Sequence, residues 1–479
     1  MKMKEEFVNN SAALFERRFG EKPISIDELP SSGSNRCYIR VVSENNKALA
    51  AYNTDRKENI AYLSFAKHFE KHKLPVTKIF AEDLDNHLYL LEDLGDETLF
   101  AYLEKHRAEG FSNTTVGLYK EVLDNLLRFQ IDAAADLDYS VCYPRAAFDR
   151  QSMMWDLNYF KYYFLKLAQI SFDEQKLEDD FNVFVDYLLQ ADADYFMYRD
   201  FQSRNIMIRD GKLYFIDFQG GRKGALQYDV ASLLYDAKAA IPQQVRDELL
   251  DYYIARLSQK KQIEESEFRR QFAGFVLVRI MQAMGAYGFR GYYEKKTHFL
   301  KSIPYAVNNL KWILKNAGLP VKTSILQDVF EQIIASKNLQ RYVDEKTPGL
   351  TVRINSFSFK KGYPEDPGGN GGGFVFDCRA LPNPGRYDEY KGLTGMDKPV
   401  IDFLEHEPET AVFFENTSQL VSQSVENYMK RGFTHLMVSY GCTGGQHRSV
   451  YFAEKLAAYV REKFDAAIIV NHKEQNTKP

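Results

Sequence analysis

Cysteine is scarce in this 479-residue chain: Cys37, Cys142, Cys378 and Cys442 are scattered, and no two form a C-x-x-C pair. That argues against a zinc site or a disulfide scaffold and for a reducing compartment. The opening MKMKEEFVNN has no apolar stretch of the kind a signal peptide needs, and no apolar run reads as long enough to cross a bilayer. The expectation is therefore a cytoplasmic protein with no membrane partner. Excess positive charge is missing too. A formal net charge of −4 argues against a broad nucleic-acid surface. A G-x-x-x-x-G-K-[ST] phosphate loop is absent, which excludes a P-loop domain.

What remains is ordinary globular composition, 45% apolar and 27% charged, with length enough for several cores. The aromatics, 14% of the chain, read as core packing. Composition shifts once. Around TPGLTVRINSFSFKKGYPEDPGGNGGGF, proline and glycine cluster as they do at domain junctions. This places a boundary near Arg341, with domains at 1–340 and 341–479. Gly368 to Gly373 reads as a flexible surface loop.

The first region opens with strand patterns at Cys37–Val42 and Lys47–Tyr52 around the turn Glu44-Asn45-Asn46. A helix-period stretch runs from Lys57 to Lys71, and Leu88–Asp93 reads as a buried strand. Helices then dominate, interrupted by Asn205–Arg209 and Lys212–Asp217, which Asp210-Gly211 joins as a hairpin. A β-lobe followed by a helical lobe with an embedded hairpin is the order of a protein-kinase-like fold. The last region alternates: strand Gly373–Cys378, helices from about Pro399 to Arg431, strand Thr434–Ser439, tight loop, helix Ser449–Lys463, strand Ala466–Val470. The expected class is thus an α+β, protein-kinase-like two-lobed domain followed by a smaller α/β domain.

Chemistry concentrates in YRDFQSRNIMIRDGKLYFIDFQ. Asp200 and Asn205 have the D-x-x-x-x-N spacing of a kinase catalytic loop, and Asp217 follows the second strand as the metal-binding Asp of D-F-G does. Phosphoryl transfer needs a carboxylate to take the acceptor proton, the role of Asp200. It also needs hard oxygens to hold Mg²⁺, the role of Asn205 and Asp217.

YRDFQSRNIM, LYFIDFQ and YDVASLL resemble the aminoglycoside/choline phosphotransferase family, and LLEDLGDETL resembles its interlobe hinge. The resemblance implies ATP and Mg²⁺ as cofactors, with the adenine on backbone groups near Glu92 and Leu94. GSNRCYIRV, FDRQSMMWDLNYFKYYF and MGAYGFRG are closest to the anomeric kinases of N-acetylmuramate and N-acetylglucosamine. That implies an amino-sugar substrate and puts Asp156 where an acid can grip sugar hydroxyls. The chain departs at KALAAYN, where the third strand has no lysine for the nucleotide phosphates; Lys47 comes too early. The phosphate contacts then pass to Ser34, Asn35, Arg36 or Arg40. Glu58 reads as a solvated helix charge, and Asp229 as a helix cap beside the site.

A second constellation lies in VSYGCTGGQHRSVYF, a strand, a glycine-rich loop and a helix start, where backbone N–H groups and a forking Arg448 suit a phosphate. It also fits C-x-x-G-x-x-R-S, a phosphatase loop with Cys442 as nucleophile. His447 reads as an exposed loop residue. SFSFKKGYP, FVFDCRALPNP, LTGMDKPV and GCTGGQHRSV are similar to the C-terminal domain of the RNase adapter RapZ. That resemblance implies a sensor of glucosamine-6-phosphate that also contacts RNA or protein partners, with no phosphatase activity. Carried over, Thr443, Gly444, Gly445, Arg448 and Ser449 hold the phosphate, and Arg379 and Asn383 are weaker candidates. Lys361 stands where that family has His or Tyr.

Together these readings give an ATP-dependent amino-sugar kinase of cell-wall recycling, joined to a hexosamine-phosphate-binding domain. An oligomer is compatible with them. The alternatives are a non-catalytic metabolite sensor acting on RNA or protein, and a phosphatase using the Cys442 loop.

Overall fold

The computed structural model describes residues 2–29, 36–340, 350–366, 372–430 and 433–475. Ser34 and Asn35, and the Gly368–Gly373 stretch up to residue 371, lie outside the described residues. The chain divides into two compact units, Met1–Val343 and Asp344–Pro479.

The first unit begins with a helix, Lys2–Phe19, that the sequence reading missed, and continues with β1 (Ser25–Glu28), β2 (Cys37–Val42), β3 (Lys47–Tyr52), β4 (Ile79–Asp83) and β5 (Leu88–Leu91). They form one antiparallel sheet in the order β1-β2-β3-β5-β4. Alternation divides each strand between two cores. Ala48, Ala50, Leu88 and Leu90 face Phe7, Leu14 and Phe15 of the first helix. Ala51, Tyr89 and Leu91 join the larger core with the Arg56–Lys71 helix. That helix starts where Asp55 accepts the N–H groups of Lys57 and Glu58.

The helical lobe carries β6 (Tyr195–Met197), β7 (Ile206–Arg209), β8 (Lys212–Phe215) and β9 (Arg222–Gly224), with β6 paired to β9 and β7 to β8. Asp210 and Gly211 both take positive φ, +52° and +70°, as a tight hairpin demands. Ile208 N–H donates to Glu97 carbonyl and Phe215 N–H to Pro75 carbonyl, each at 2.8 Å, tying the hairpin to the segment after β5 and to the loop before β4. This is the protein-kinase-like arrangement expected. A column of buried rings crosses it. Tyr89 stacks on Tyr62 at 5.4 Å between centroids, Tyr62 on Phe218 at 5.0 Å with planes 5° apart, and Phe218 meets Tyr198 edge-on at 6.1 Å.

Two of the stretches read as marking the substrate branch prove to pack on each other. Gly285 and Gly288 lie so close to Tyr159, Phe160 and Tyr163 that a Cβ at Gly288 would overlap the Tyr163 carbonyl oxygen. Their glycines serve a close helix crossing. The same helix, continued to Glu265–Tyr293, is long and apolar enough to cross a membrane, contrary to the sequence reading. Yet 78% of its apolar window is buried among the other helices of the unit.

The second unit is a four-stranded parallel sheet of β10 (Thr351–Ser358), β11 (Phe374–Asp377), β12 (His435–Cys442) and β13 (Ala467–His472), in the order β11-β12-β10-β13. The sequence reading took β10 for part of a loop-rich junction. It is a central strand, and Val352 and Ile354 are fully buried in the core. The helices Pro408–Lys430 and Arg448–Lys463 carry the chain between parallel strands, and Val421, Val425, Phe452 and Leu456 fill the core they share with the sheet.

Phe218 is fully buried at the centre of the ring column. Phe218→Ala should therefore cost about 3–5 kcal/mol of stability, the range for a core aromatic. Urea unfolding checks this; a change under about 1 kcal/mol, within the scatter of ordinary surface substitutions, would mean the rings only touch.

Candidate functional site

In the first unit Asp200, Asn205 and Asp217 meet at a cavity of about 690 Å³ that Glu92 and Leu94 also line. Asn205 Nδ2 donates to the Asp200 carbonyl at 2.8 Å and to Asp217 Oδ2 at 3.2 Å, and Gln219 Nε2 reaches Asp217 Oδ1 at 2.7 Å. Asp217 has φ +70°, a left-handed conformation that a non-glycine residue adopts only under constraint. Burial, reinforced by the nearby Asp200 charge, pushes its carboxyl above the usual range.

The Asp200 loop is held from behind. Arg199 takes φ +83°, a strained position. The buried Asp229 carboxylate accepts the Tyr198 N–H at 2.7 Å and the Arg199 N–H at 2.9 Å. Asp229 thus braces the loop and caps no helix; its own helix, Leu226–Leu234, has no side-chain cap. The Arg199 guanidinium forks onto both oxygens of Asp156, at 2.7 and 2.6 Å, donates to Tyr228 hydroxyl at 2.7 Å, and lies over Phe148 and Tyr228. Asp156 is buried and stands outside the cavity lining, so it positions the loop and the sugar-gripping role drawn from sequence is corrected.

No lysine stands on β3 beyond its first residue, Lys47. Arg36, just before β2, pairs with Glu58 at 3.1 Å and lies over the Tyr62 ring. Glu58 is therefore an ion-pair partner and not a solvated charge; Asn53 Nδ2 also donates to it at 2.5 Å. Arg40 and Lys47 turn the other way: Arg40 forks onto buried Asp93 at 2.8 and 3.1 Å, and Lys47 lies 3.5 Å from the same carboxylate. The Glu92 side chain pairs with Arg209 at 2.8 Å, and its N–H donates to the Lys78 carbonyl. The same cavity is also lined by residues that sequence reasoning missed: Arg204, Arg279 and Arg290, with Gln282 and Tyr287. Arg204 is visible next to Asn205, but only the fold brings the Glu265–Gly288 helix to face it.

In the second unit β12 ends at Cys442 and the Arg448–Lys463 helix begins after the glycine loop. Thr443 and Gly444 are exposed. Gly445, Arg448 and Ser449 are withdrawn from solvent. The Gly445 N–H donates to Cys442 Sγ at 3.1 Å, Ser449 Oγ lies 3.2 Å from the same sulfur, and Arg448 Nη1 donates to the carbonyls of Arg379 and Leu381 at 3.0 and 2.7 Å. Arg448 as found is buried with Nη1 turned to these carbonyls, and burial lowers its pKa. His447 is buried as well, with its ring 2.8 Å from the Tyr390 carbonyl. Arg379 pairs with Asp377 at 2.6 Å, Asn383 caps the Gly385 N–H at 3.3 Å, and Lys361 pairs with Glu474, whose side chain lies against Gly445. Arg386, which sequence reasoning passed over, is exposed, and its charge acts on Arg448.

Comparison with known proteins supplies two family matches. The phosphotransferase enzyme family matches residues 26–266, and the RapZ C-terminal domain matches residues 350–476. A nucleotide-binding protein of Staphylococcus epidermidis is 38% identical over 133 residues, 28% of this chain and 42% of that protein. One of Paraburkholderia xenovorans is 40% identical over 136 residues, 28% and 43%. The chain thus spans less than half the length of the curated relatives it matches. Among solved structures, choline kinase LicA from Streptococcus pneumoniae aligns with 67% of this chain and 99% of its own, at 14% identity and a TM-score of 0.42. A Plasmodium vivax ethanolamine kinase aligns with 64% and 83%, at 14% identity and 0.43.

Burial pushes the Asp229 carboxyl up to about 7 from 3.8, so between those values the folded chain holds a proton that the unfolded chain has lost. This contribution to stability is complete below about pH 4 and lost as pH rises through about 7. Asp229→Asn should flatten that slope in unfolding measured across the window. It should also lower turnover, since one amide oxygen replaces two carboxylate oxygens on the loop. An unchanged slope would deny Asp229 the proton.

Proposed function

We propose that this chain, which belongs to the phosphotransferase enzyme family, is an ATP- and Mg²⁺-dependent kinase acting on a hydroxyl of an amino sugar of the N-acetylglucosamine/N-acetylmuramate class, in cytoplasmic cell-wall recycling. The observation that carries the reading is the convergence of Asp200, Asn205 and Asp217 on one cavity with Glu92 and Leu94. Asp200 takes the proton of the acceptor hydroxyl, which sharpens the oxygen as a nucleophile. Asp229, Asp156 and Tyr228 hold the Asp200 loop in register through the backbone and side chain of Arg199. Leu49, Leu91 and Met207 supply apolar walls suited to a nucleotide base, beside the backbone of Glu92 and Leu94.

Asn205 and Asp217 fit a divalent metal: both offer hard oxygens, and two neighbouring carboxylates whose charges oppose each other gain from a cation. Mg²⁺, when bound, neutralises phosphate charge. The Arg36–Glu58 pair puts a fixed cation beside the same carboxylates, the place a third-strand lysine would serve. A non-catalytic sensor acting on RNA or protein would leave that assembly without a task, which is why the enzyme is preferred.

The second unit, on this reading, binds a hexosamine phosphate. The match to the RapZ C-terminal domain supports it, together with exposed Thr443 and Gly444 at a helix N-terminus and Arg386 nearby. The phosphatase alternative is weaker, because Cys442 is only 3% exposed and Arg448 is engaged by backbone carbonyls.

Asp200→Asn should cut ATP turnover with N-acetylglucosamine or N-acetylmuramate by about 10²-fold or more, with the unfolding midpoint nearly unchanged. Wild-type turnover in that variant would remove Asp200 as base. For the second unit, Cys442→Ser should keep calorimetric binding of glucosamine-6-phosphate. A phosphate release by the wild type that vanishes in the Ser variant would establish the phosphatase instead.

A further inference from the structure

Three arginines, Arg204, Arg279 and Arg290, face the cavity of the first unit. Arg279 is 8% exposed, its Nε bonded to Ser232 Oγ at 2.9 Å and its Nη1 to Gln282, both neutral groups. Neither Arg204 nor Arg279 has a carboxylate within salt-bridge distance among the described residues. Arg290 meets Glu294 at 3.2 Å, but that carboxylate is shared with Lys296 at 3.0 Å. Asp236, the buried acid of this region, takes the Ser203 hydroxyl at 2.7 Å. The charges of Asp236, Arg204 and Arg279 all act on Tyr287, whose ring also lines the cavity. A buried guanidinium without a counter-ion is costly, and a cavity that holds one open to a ligand is matched to an anion.

Resting on the kinase reading above, we propose that the acceptor carries a carboxylate or phosphate that docks on Arg279 and Arg204, with Arg290 at the rim, while its hydroxyl faces Asp200. A cationic acceptor would meet like charge there, and a neutral one would leave Arg279 unpaired. The nucleotide phosphates are the competing partner, since Asn205 and Asp217 line the same cavity, and the KM for ATP separates the two.

The test uses the full chain and four probes: N-acetylglucosamine, its lactyl ether N-acetylmuramate, its 6-phosphate, and choline as a cation. ATP-dependent kcat/KM should favour at least one anionic probe over N-acetylglucosamine by about tenfold or more, the scale of a charge-assisted contact. The better of the two anions distinguishes a carboxylate from a phosphate. In Arg204→Gln and Arg279→Gln that ratio should fall toward one. Arg204 is exposed, so its variant remains informative should the Arg279 variant fail to fold. Equal or better use of N-acetylglucosamine or choline overturns the inference, as does an unchanged ratio accompanied by a raised KM for ATP. Calorimetric binding of the same probes needs no turnover. Anion binding that Arg204→Gln abolishes and Arg448→Ala spares, with no transfer to any probe, keeps the anion site and sinks the kinase reading alone. Absence of such binding together with normal turnover of N-acetylglucosamine does the reverse.

Discussion

Two backbone N–H groups set the geometry of the first unit. Tyr198 and Arg199 would not present those groups on one side, with Arg199 at φ +83°, without an acceptor to collect them, and the Asp229 carboxylate is that acceptor. The cost of a left-handed non-glycine residue is about 1–2 kcal/mol, which two hydrogen bonds at about 0.5–1.5 kcal/mol each offset. The Arg199 fork onto Asp156 then fixes the side chain as Asp229 fixes the backbone. Asp200, the next residue, inherits its direction from both. Asp229 and Asp156 are more deeply buried than the Asp200 they brace.

The ring column and the Arg36–Glu58 pair solve a related problem at the other wall. Asp217 must hold a left-handed turn at the end of β8, and the next residue, Phe218, is clamped between Tyr62 and Tyr198. Because Tyr62 and Glu58 lie on one helix, the packing that seats Phe218 also seats the ion pair. An arginine just before β2, rather than a lysine on β3, makes that pair. β3 carries alanines at Ala48, Ala50 and Ala51, which let the sheet pack tightly on both faces. The one charged residue of the strand, Lys47, sits at its exposed start.

Legibility in the sequence followed the range of the interaction. The hairpin, the D-x-x-x-x-N spacing and the strand-loop-helix order of the second unit are local patterns, and their residues lie where the pattern puts them. Strand β10 was hidden because Pro and Gly on both sides of Thr351–Ser358 outweighed a pattern that, being buried on both faces, has no alternation to show. Asp156 and Glu58 were misread for one reason: each is an ordinary charged residue on a helix whose partner lies far along the chain. Charge type is visible in a sequence, but the partner that decides between a ligand and a brace is not. Arg279 shows the converse, an arginine in a helix apolar enough for a membrane, whose purpose appears only with the cavity.

The Cys442 loop makes the same distinction within one motif. A C-x-x-G-x-x-R-S pattern puts a thiol under backbone donors at a helix N-terminus, and the structure does so: the Gly445 N–H and Ser449 hydroxyl both approach the sulfur. Chemistry at phosphorus would further need an outward arginine and an accessible sulfur. Arg448 Nη1 instead donates to the Arg379 and Leu381 carbonyls, closing the segment after β11 onto the helix start, and the sulfur is covered. Gln446 and His447 extend that closure to the Lys391, Leu393 and Tyr390 carbonyls. The side chains that would make the loop reactive are the ones that fasten it. What faces outward is Thr443 and Gly444, a short run of polar backbone with no nucleophilic thiol.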